Sequence, residues 1–220
     1  MAKTGLLIKQ EDVLQIGKGR VEKGKKSIRI YVALLVVFAL IEVGTIISFA
    51  SPVILSYSKE IQANTNWCWV ASARNAVKYS YTPTKTQPEA VMQIKGSLVN
   101  ETGSLWETAS AAKYFSNNTM TYIATARGLT VGVLSYGTLT GKVDAGLVTV
   151  LSAGYYNSNG DRIGGHSVSM HGYYTYGTYA KMIWYYDPWP SDNSDHECAY
   201  SSFLSGGYNG RKYDGTVYTN

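Results

Sequence analysis

The stretch Gln62-Ala-Asn-Thr-Asn-Trp-Cys-Trp-Val-Ala-Ser72 decides how the chain is read. A polar, extended lead runs into one cysteine set between two tryptophans. Beyond it, Ala71, Ala73, Ala76 and Val77 recur at helical spacing. The pattern predicts a central, buried helix from Cys68 to about Tyr79, with a thiol in its first turn. Backbone N–H groups there have no partner within the helix, and the helix dipole is positive. Both favour thiolate over thiol, so Cys68 is the candidate nucleophile. Gln62, six residues upstream, is placed to offer a side-chain N–H to a developing oxyanion.

A nucleophilic cysteine requires a base and a group that orients the base. The chain has three histidines. His166 follows Gly164-Gly165 and is predicted to open a strand, where glycines let backbone and substrate approach closely. His171 lies five residues on, an odd offset that puts it on the opposite face. His196 falls in a polar loop and reads as a solvated histidine. Asp187 ends the aromatic run Met182-Ile-Trp-Tyr-Tyr186 and precedes Pro188, which holds it extended. Its carboxylate is the candidate orienter of His166.

Each of these residues has a structural alternative. Gln62 also reads as a loop residue, His166 as a sheet histidine and Asp187 as the start of a turn. Cys68 also reads as an inert buried cysteine, or as half of a bridge to Cys198, the second of two cysteines. That bridge and a nucleophilic Cys68 exclude each other. The tryptophans read as core and cleft-wall packing. The histidines and cysteines show no metal-ligand spacing, and no cofactor is expected.

N-terminal to this stretch the composition changes. Residues 1–50 hold eight Lys/Arg against four Asp/Glu, whereas residues 51–220 hold twelve against eleven. Most of the net charge of +5 therefore belongs to the N-terminal segment, the body being near neutral at +1, and no nucleic-acid partner is expected. Residues 30–50 are mostly apolar and follow a basic flank, with Ser48 and Ala50 at the end. This is the pattern of a signal peptide cleaved after Ala50, or of an uncleaved membrane anchor. Glu42 would cost about 2–3 kcal/mol in a bilayer, which favours the signal. Either way the body, 51–220, is expected outside the cytoplasm, touching a membrane only through 30–50. The eleven residues from Ser51 to Ile61 are too few for a folded inhibitory segment.

C-terminal to the stretch, Pro88 is expected to start a second helix running to about Leu98. Ser104-Leu-Trp-Glu107 fits a capping box opening a third helix to about Tyr114. Strands are predicted at Thr119–Ala124, Leu147–Tyr155, His166–Tyr174, Lys181–Tyr186 and Arg211–Tyr218, with a helical turn at Val143–Gly146. Asn157-Ser-Asn-Gly160 and Tyr174-Thr-Tyr-Gly177 read as hairpin loops. Helices first and antiparallel strands later is an α+β pattern.

Taken in order, Gln62, Cys68-Trp69, Gly165-His166 and Asp187-Pro188 resemble the site of papain-like cysteine peptidases. The Asn-Trp-Cys-Trp wording and short body look most like the compact bacterial branch, which includes bacteriocin-leader peptidases and secreted or effector-type peptidases. The resemblance covers about residues 60–190. It implies a helical half carrying the cysteine helix, packed on an antiparallel sheet half, with the active site in the cleft between them. It also implies peptide-bond hydrolysis through an acyl-enzyme on a peptide or protein substrate. Two features depart from the classical papain pattern: the candidate orienter is aspartate rather than asparagine, and no long pro-segment is expected. The transporter to which leader peptidases are usually joined is not expected either. Residues 99–104, 125–142 and 156–165 are expected to shape substrate preference. Two other functions share parts of this layout: a cell-wall amidase or transpeptidase-type Cys–His enzyme, and a non-catalytic binding module.

Overall fold

A computed structural model describes residues 51–116, 129–130, 132–177 and 180–218. All of them belong to the second of two compact units, Phe49–Asn220. The apolar segment 30–50 and the expected strand Thr119–Ala124 lie outside the described residues. Among the described residues no helix is long and apolar enough to cross a membrane.

Three helices come first: α1 (Cys68–Lys78), α2 (Gln87–Lys95) and α3 (Leu105–Phe115). Nine of the eleven residues of α1 are buried, as its alanine spacing predicts. α2 begins one residue before Pro88, because Thr86 caps it in a box with Glu89. It stops at Gly96, which takes the left-handed conformation, so the expected run to Leu98 is three residues too long. α3 starts where the Ser104–Glu107 capping box predicts. A fourth helix, α4 (Tyr136–Asp144), follows the Ser135 cap. It replaces the single turn expected near Val143. Burial of Leu139 and Val143 outweighs the poor helix propensity of Gly137, Thr138, Thr140 and Gly141.

The second half is an antiparallel sheet. Its strands are β1 (Val53–Ile54), β2 (Leu129–Thr130), β3 (Thr149–Tyr156), β4 (Arg162–Tyr176), β5 (Ala180–Tyr186), β6 (Asp195–Ala199) and β7 (Lys212–Val217). The order is β2-β7-β3-β4-β5-β6, and β1 adds to β4. The short helix α5 (Tyr200–Ser205) links β6 towards β7. The Asn157–Gly160 turn is where the sequence places it. Gly160 has φ +84°, and Asn157 Oδ1 accepts the Asn159 and Asp161 amides at 2.9 Å. The fold class is therefore α+β, helices before sheet.

Two apolar clusters result. One joins Trp67, Trp69, Val70 and Val77 of the α1 region to Val91, Ala112 and Phe115. The other fills the sheet side with Leu139, Leu151, Val168, Met170, Ile183 and Phe203. Between them the contact of α1 with β4 is polar and satisfied. Ser72 Oγ donates to the Ser167 carbonyl at 2.8 Å, and Ser169 Oγ donates to the Ser72 carbonyl at 3.3 Å. Asn75 likewise exchanges two hydrogen bonds with the Glu60 backbone.

The loop between α2 and α3 grips both tryptophans. The indole N–H of Trp67 donates to the Val99 carbonyl at 2.9 Å, and that of Trp69 to the Glu101 carbonyl at 3.1 Å. Asn66 donates two more bonds to Asn100, from its backbone N–H to Oδ1 at 3.0 Å and from Nδ2 to the carbonyl at 2.9 Å. Gly103 lies flat against Trp69, where a Cβ would stand 2.3 Å from ring atom Cδ2. Gly103→Ala is expected to destabilise the fold by about 1–3 kcal/mol through overpacking. Urea unfolding of the variant checks this, and an unchanged midpoint would show that the loop gives way freely.

Candidate active site

Cys68 is the first residue of α1 and is 8% exposed. α2, α3 and α4 each carry a side-chain cap, on Thr86, Ser104 and Ser135. α1 has none, and no acidic residue sits in its first turn. No side-chain cap therefore takes up its N-terminal N–H groups. Burial alone would push the Cys68 thiol up. A hydrogen bond with His166, the charge on that ring, and backbone hydrogen bonds from Ser167 and Trp69 outweigh it and hold the thiol below its ordinary value.

His166 sits inside β4, not at its start. The strand begins at Arg162 because Gly164 and Gly165 continue the ladder against Tyr155 and Gly154. The ring is buried, with Nε2 2.7 Å from Asp187 Oδ1. That bond leaves Nδ1 as the nitrogen for the thiol. Burial pushes the imidazole down, but the Asp187 and Cys68 hydrogen bonds prevail and raise it to about 9.

Asp187 follows the last residue of β5 and is 2% exposed. Burial disfavours its charge, yet the carboxyl is held below its usual range. The causes are the hydrogen bond and charge of His166, then donors from Tyr208 and Trp189. The Trp189 amide reaches Oδ1 at 2.8 Å, and the Tyr208 hydroxyl donates to Oδ2.

The other two histidines turn away. The β4–β5 register shifts between Met170 and Gly172, leaving His171 as the extra residue of a bulge. Its Nε2 is 3.0 Å from Asp195 Oδ1, and its ring meets Tyr57 edge-on. His196 is in β6, not a solvated loop. Its ring stacks on Tyr185 at 5.4 Å, and its Nε2 lies 3.0 Å from Asp192 Oδ1.

Gln62 is 2% exposed, and its backbone N–H donates to the Pro188 carbonyl at 2.8 Å. This ties the cysteine's lead to the aspartate's corner. The side-chain Nε2 donates to the Asn64 and Thr65 carbonyls, both at 2.8 Å. Oε1 has no hydrogen-bond partner among the described residues. Gln62 thus props the turn that delivers Cys68, and its amide hydrogens face protein carbonyls.

Three neighbours of the site lie outside the set expected from sequence. Trp189 stands edge-on to His166, with ring centroids 6.3 Å apart. Tyr208 bonds Asp187, and Arg211 places its guanidinium 5.2 Å from the Tyr208 ring centroid. Tyr208 and Arg211 flank a tight turn in which Asn209 (φ +49°) and Gly210 (φ +75°) are both left-handed. The Asn-Gly dipeptide is the sequence signal that marks this turn.

One cavity is lined by site residues, and a second by Ser167, the neighbour of His166. The first, of about 370 Å³, is lined by His166, Asp187, Trp189, Asn209 and Arg211 among others. The other, of about 450 Å³, is lined by Gly103 and Trp106 on one side and Ser152, Arg162, Ser167 and Asp214 on the other. Cys68 and Cys198 are both free. Among the described residues no three His, Cys, Asp or Glu side chains cluster as metal ligands.

No curated protein matches the chain. A family model described as the Peptidase_C39 like family matches residues 54–216, which span the whole site from Gln62 to Arg211. The resemblance to papain-like cysteine peptidases holds across that span, and the chain belongs to the Peptidase_C39 like family.

Proposed function

We propose that this protein is an exported cysteine peptidase, with residues 1–50 as its signal or anchor and 51–220 as the enzyme. One observation carries the activity: the buried His166 ring is held at 2.7 Å by the Asp187 carboxylate, and that same ring is what lowers the Cys68 thiol against its burial. The Cys68 thiolate attacks the scissile carbonyl carbon, and the carbonyl electrons move onto oxygen. The Cys68 backbone N–H stabilises that oxyanion. Gln62 is the second donor, exchanging one of its carbonyl contacts for the oxyanion. His166, protonated on Nδ1, gives that proton to the leaving amine as the C–N bond breaks. A water then gives a proton to His166 and attacks the thioester, releasing the carboxylic acid and the thiolate.

In this proposal α1–α3 form the helical half of a papain-like fold and the site lies in the cleft against the sheet. The cavity with Gly103 and Trp106 on one wall and Ser152 and Ser167 on the other supports that layout. A peptide or protein is the substrate. The free state of both cysteines leaves the nucleophile unblocked.

A thiol-alkylating probe near neutral pH is expected to label Cys68 and spare Cys198. Burial and the adjacent Glu197 push the Cys198 thiol up to about 12, so little of it is thiolate. His166→Ala should slow the labelling of Cys68. Equal labelling of both cysteines, or a rate unaffected by His166→Ala, counts against the mechanism.

A further inference from the structure

The cavity on the Asp187 side of His166 has no role in the chemistry just described. A leaving amine must stand against His166 to receive its proton. His166 joins the two places: its Nδ1 serves the reacting bond, and its ring also lines the cavity between Trp189 and Arg211, so a leaving peptide that continues past the ring reaches that cavity. Besides the paired His166 ring and Asp187 carboxylate, one guanidinium faces it. The Arg211 guanidinium is held between two aromatic rings, 4.8 Å from the Tyr155 centroid and 5.2 Å from the Tyr208 centroid. Arg211 makes no ion pair and no side-chain hydrogen bond among the described residues, and its Nε is buried without a partner. Asp192 also lines the cavity, but its Oδ1 is 3.0 Å from His196 Nε2. The left-handed Asn209 fixes the turn that presents Arg211 to the cavity.

A guanidinium pre-positioned by stacking, with its donors unpaired, is a carboxylate receptor. We propose that Arg211 forms a leaving-side subsite that selects substrates carrying a carboxylate within the first residues after the scissile bond. The location rests on the peptidase mechanism, whereas the carboxylate chemistry rests on Arg211 alone. The carboxylate comes either from an acidic side chain or from the free C-terminus of a short leaving peptide.

The test uses the full chain with Cys68→Ala and three short peptides with free amino termini, resembling the leaving fragment. One has an acidic second residue and an amidated end, one is neutral with a free C-terminal carboxylate, and one is neutral and amidated. Calorimetry is expected to show one or both carboxylate peptides binding about tenfold or more tightly than the neutral amide. The advantage should shrink with added salt, disappear in Arg211→Gln and survive in part in Arg211→Lys. Which carboxylate peptide gains identifies the source. Equal binding of all three, or an advantage that outlasts Arg211→Gln, overturns the subsite. Turnover by the Cys68 protein separates this from the mechanism. Cleavage without any carboxylate preference overturns the subsite alone. Carboxylate-dependent binding without cleavage of matched peptides overturns the peptidase mechanism and leaves the Arg211 site standing.

Discussion

Asp187→Ala is expected to lower kcat/KM on a peptide substrate by about two to three orders of magnitude, the scale of general acid–base catalysis. The pH profile should narrow from both sides. In the intact protein the imidazolium survives to about 9 because Asp187, together with Cys68, outweighs burial. Without the carboxylate only Cys68 opposes burial and His166 loses its proton at lower pH, so the alkaline limb moves down. The positive ring is also what holds the Cys68 thiol low, so the acid limb moves up. The Ala variant further strands the His166 and Tyr208 donors in a buried site. Asp187→Asn keeps an acceptor for His166 Nε2 and should lose less. Tyr208→Phe keeps the carboxylate but removes its Oδ2 donor, and should lose about tenfold. Rates measured across pH decide the matter: a profile in Asp187→Ala with unmoved limbs rules out aspartate as the orienter.

The second large effect is on stability. Trp69→Ala should cost about 3–5 kcal/mol, as expected for emptying a buried tryptophan site. Trp69 is 1% exposed, its N–H holds the Glu101 carbonyl, and Lys95 stands 5.8 Å over its ring. Such a loss is a large part of a typical domain's 5–15 kcal/mol. The substitution should also change what Gly103 tolerates. The atoms that a Cβ on Gly103 would strike all belong to the Trp69 ring. Gly103→Ala should therefore cost less in the Trp69→Ala background than in the intact protein. Urea unfolding of the two single variants and the double variant measures the coupling. Strictly additive energies would mean the loop and the ring do not constrain each other.

The fold was legible where one local signal agreed with burial. Small residues at helical spacing marked α1, and Ser104 with Glu107 marked the start of α3. Thr86 with Glu89 carries the same signal one residue before the start that Pro88 indicates. α4 was hidden because its glycines and threonines argue against a helix, and only tertiary burial of Leu139 and Val143 makes one. β6 was hidden because Asp195-His-Glu197 is charged, as suits a strand at the sheet's edge. Within the site, chain order and the residue before proline brought out Cys68, His166 and Asp187 as candidates, and the structure pairs the last two at 2.7 Å. Tyr208 was not legible, since nothing near it in sequence points to a carboxylate 21 residues away. Gln62 was found as a residue, but which way its amide faces depends on the Asn64 and Thr65 carbonyls.

The serine contacts between α1 and β4 have a consequence for mechanical tolerance. Cys68 lies one helical turn from Ser72, roughly 6 Å along the axis. His166 is the immediate neighbour of Ser167. Both ends of the proposed nucleophile–base pair are thus anchored within a few ångströms of a directional bond. An oily interface at that place would let helix and strand slide with little penalty. Two crossed hydrogen bonds act as a locating pin instead: they index the helix against the strand along its length. On the proposed mechanism, the spacing between Cys68 and His166 is then indexed by these two bonds rather than by the loops around the site.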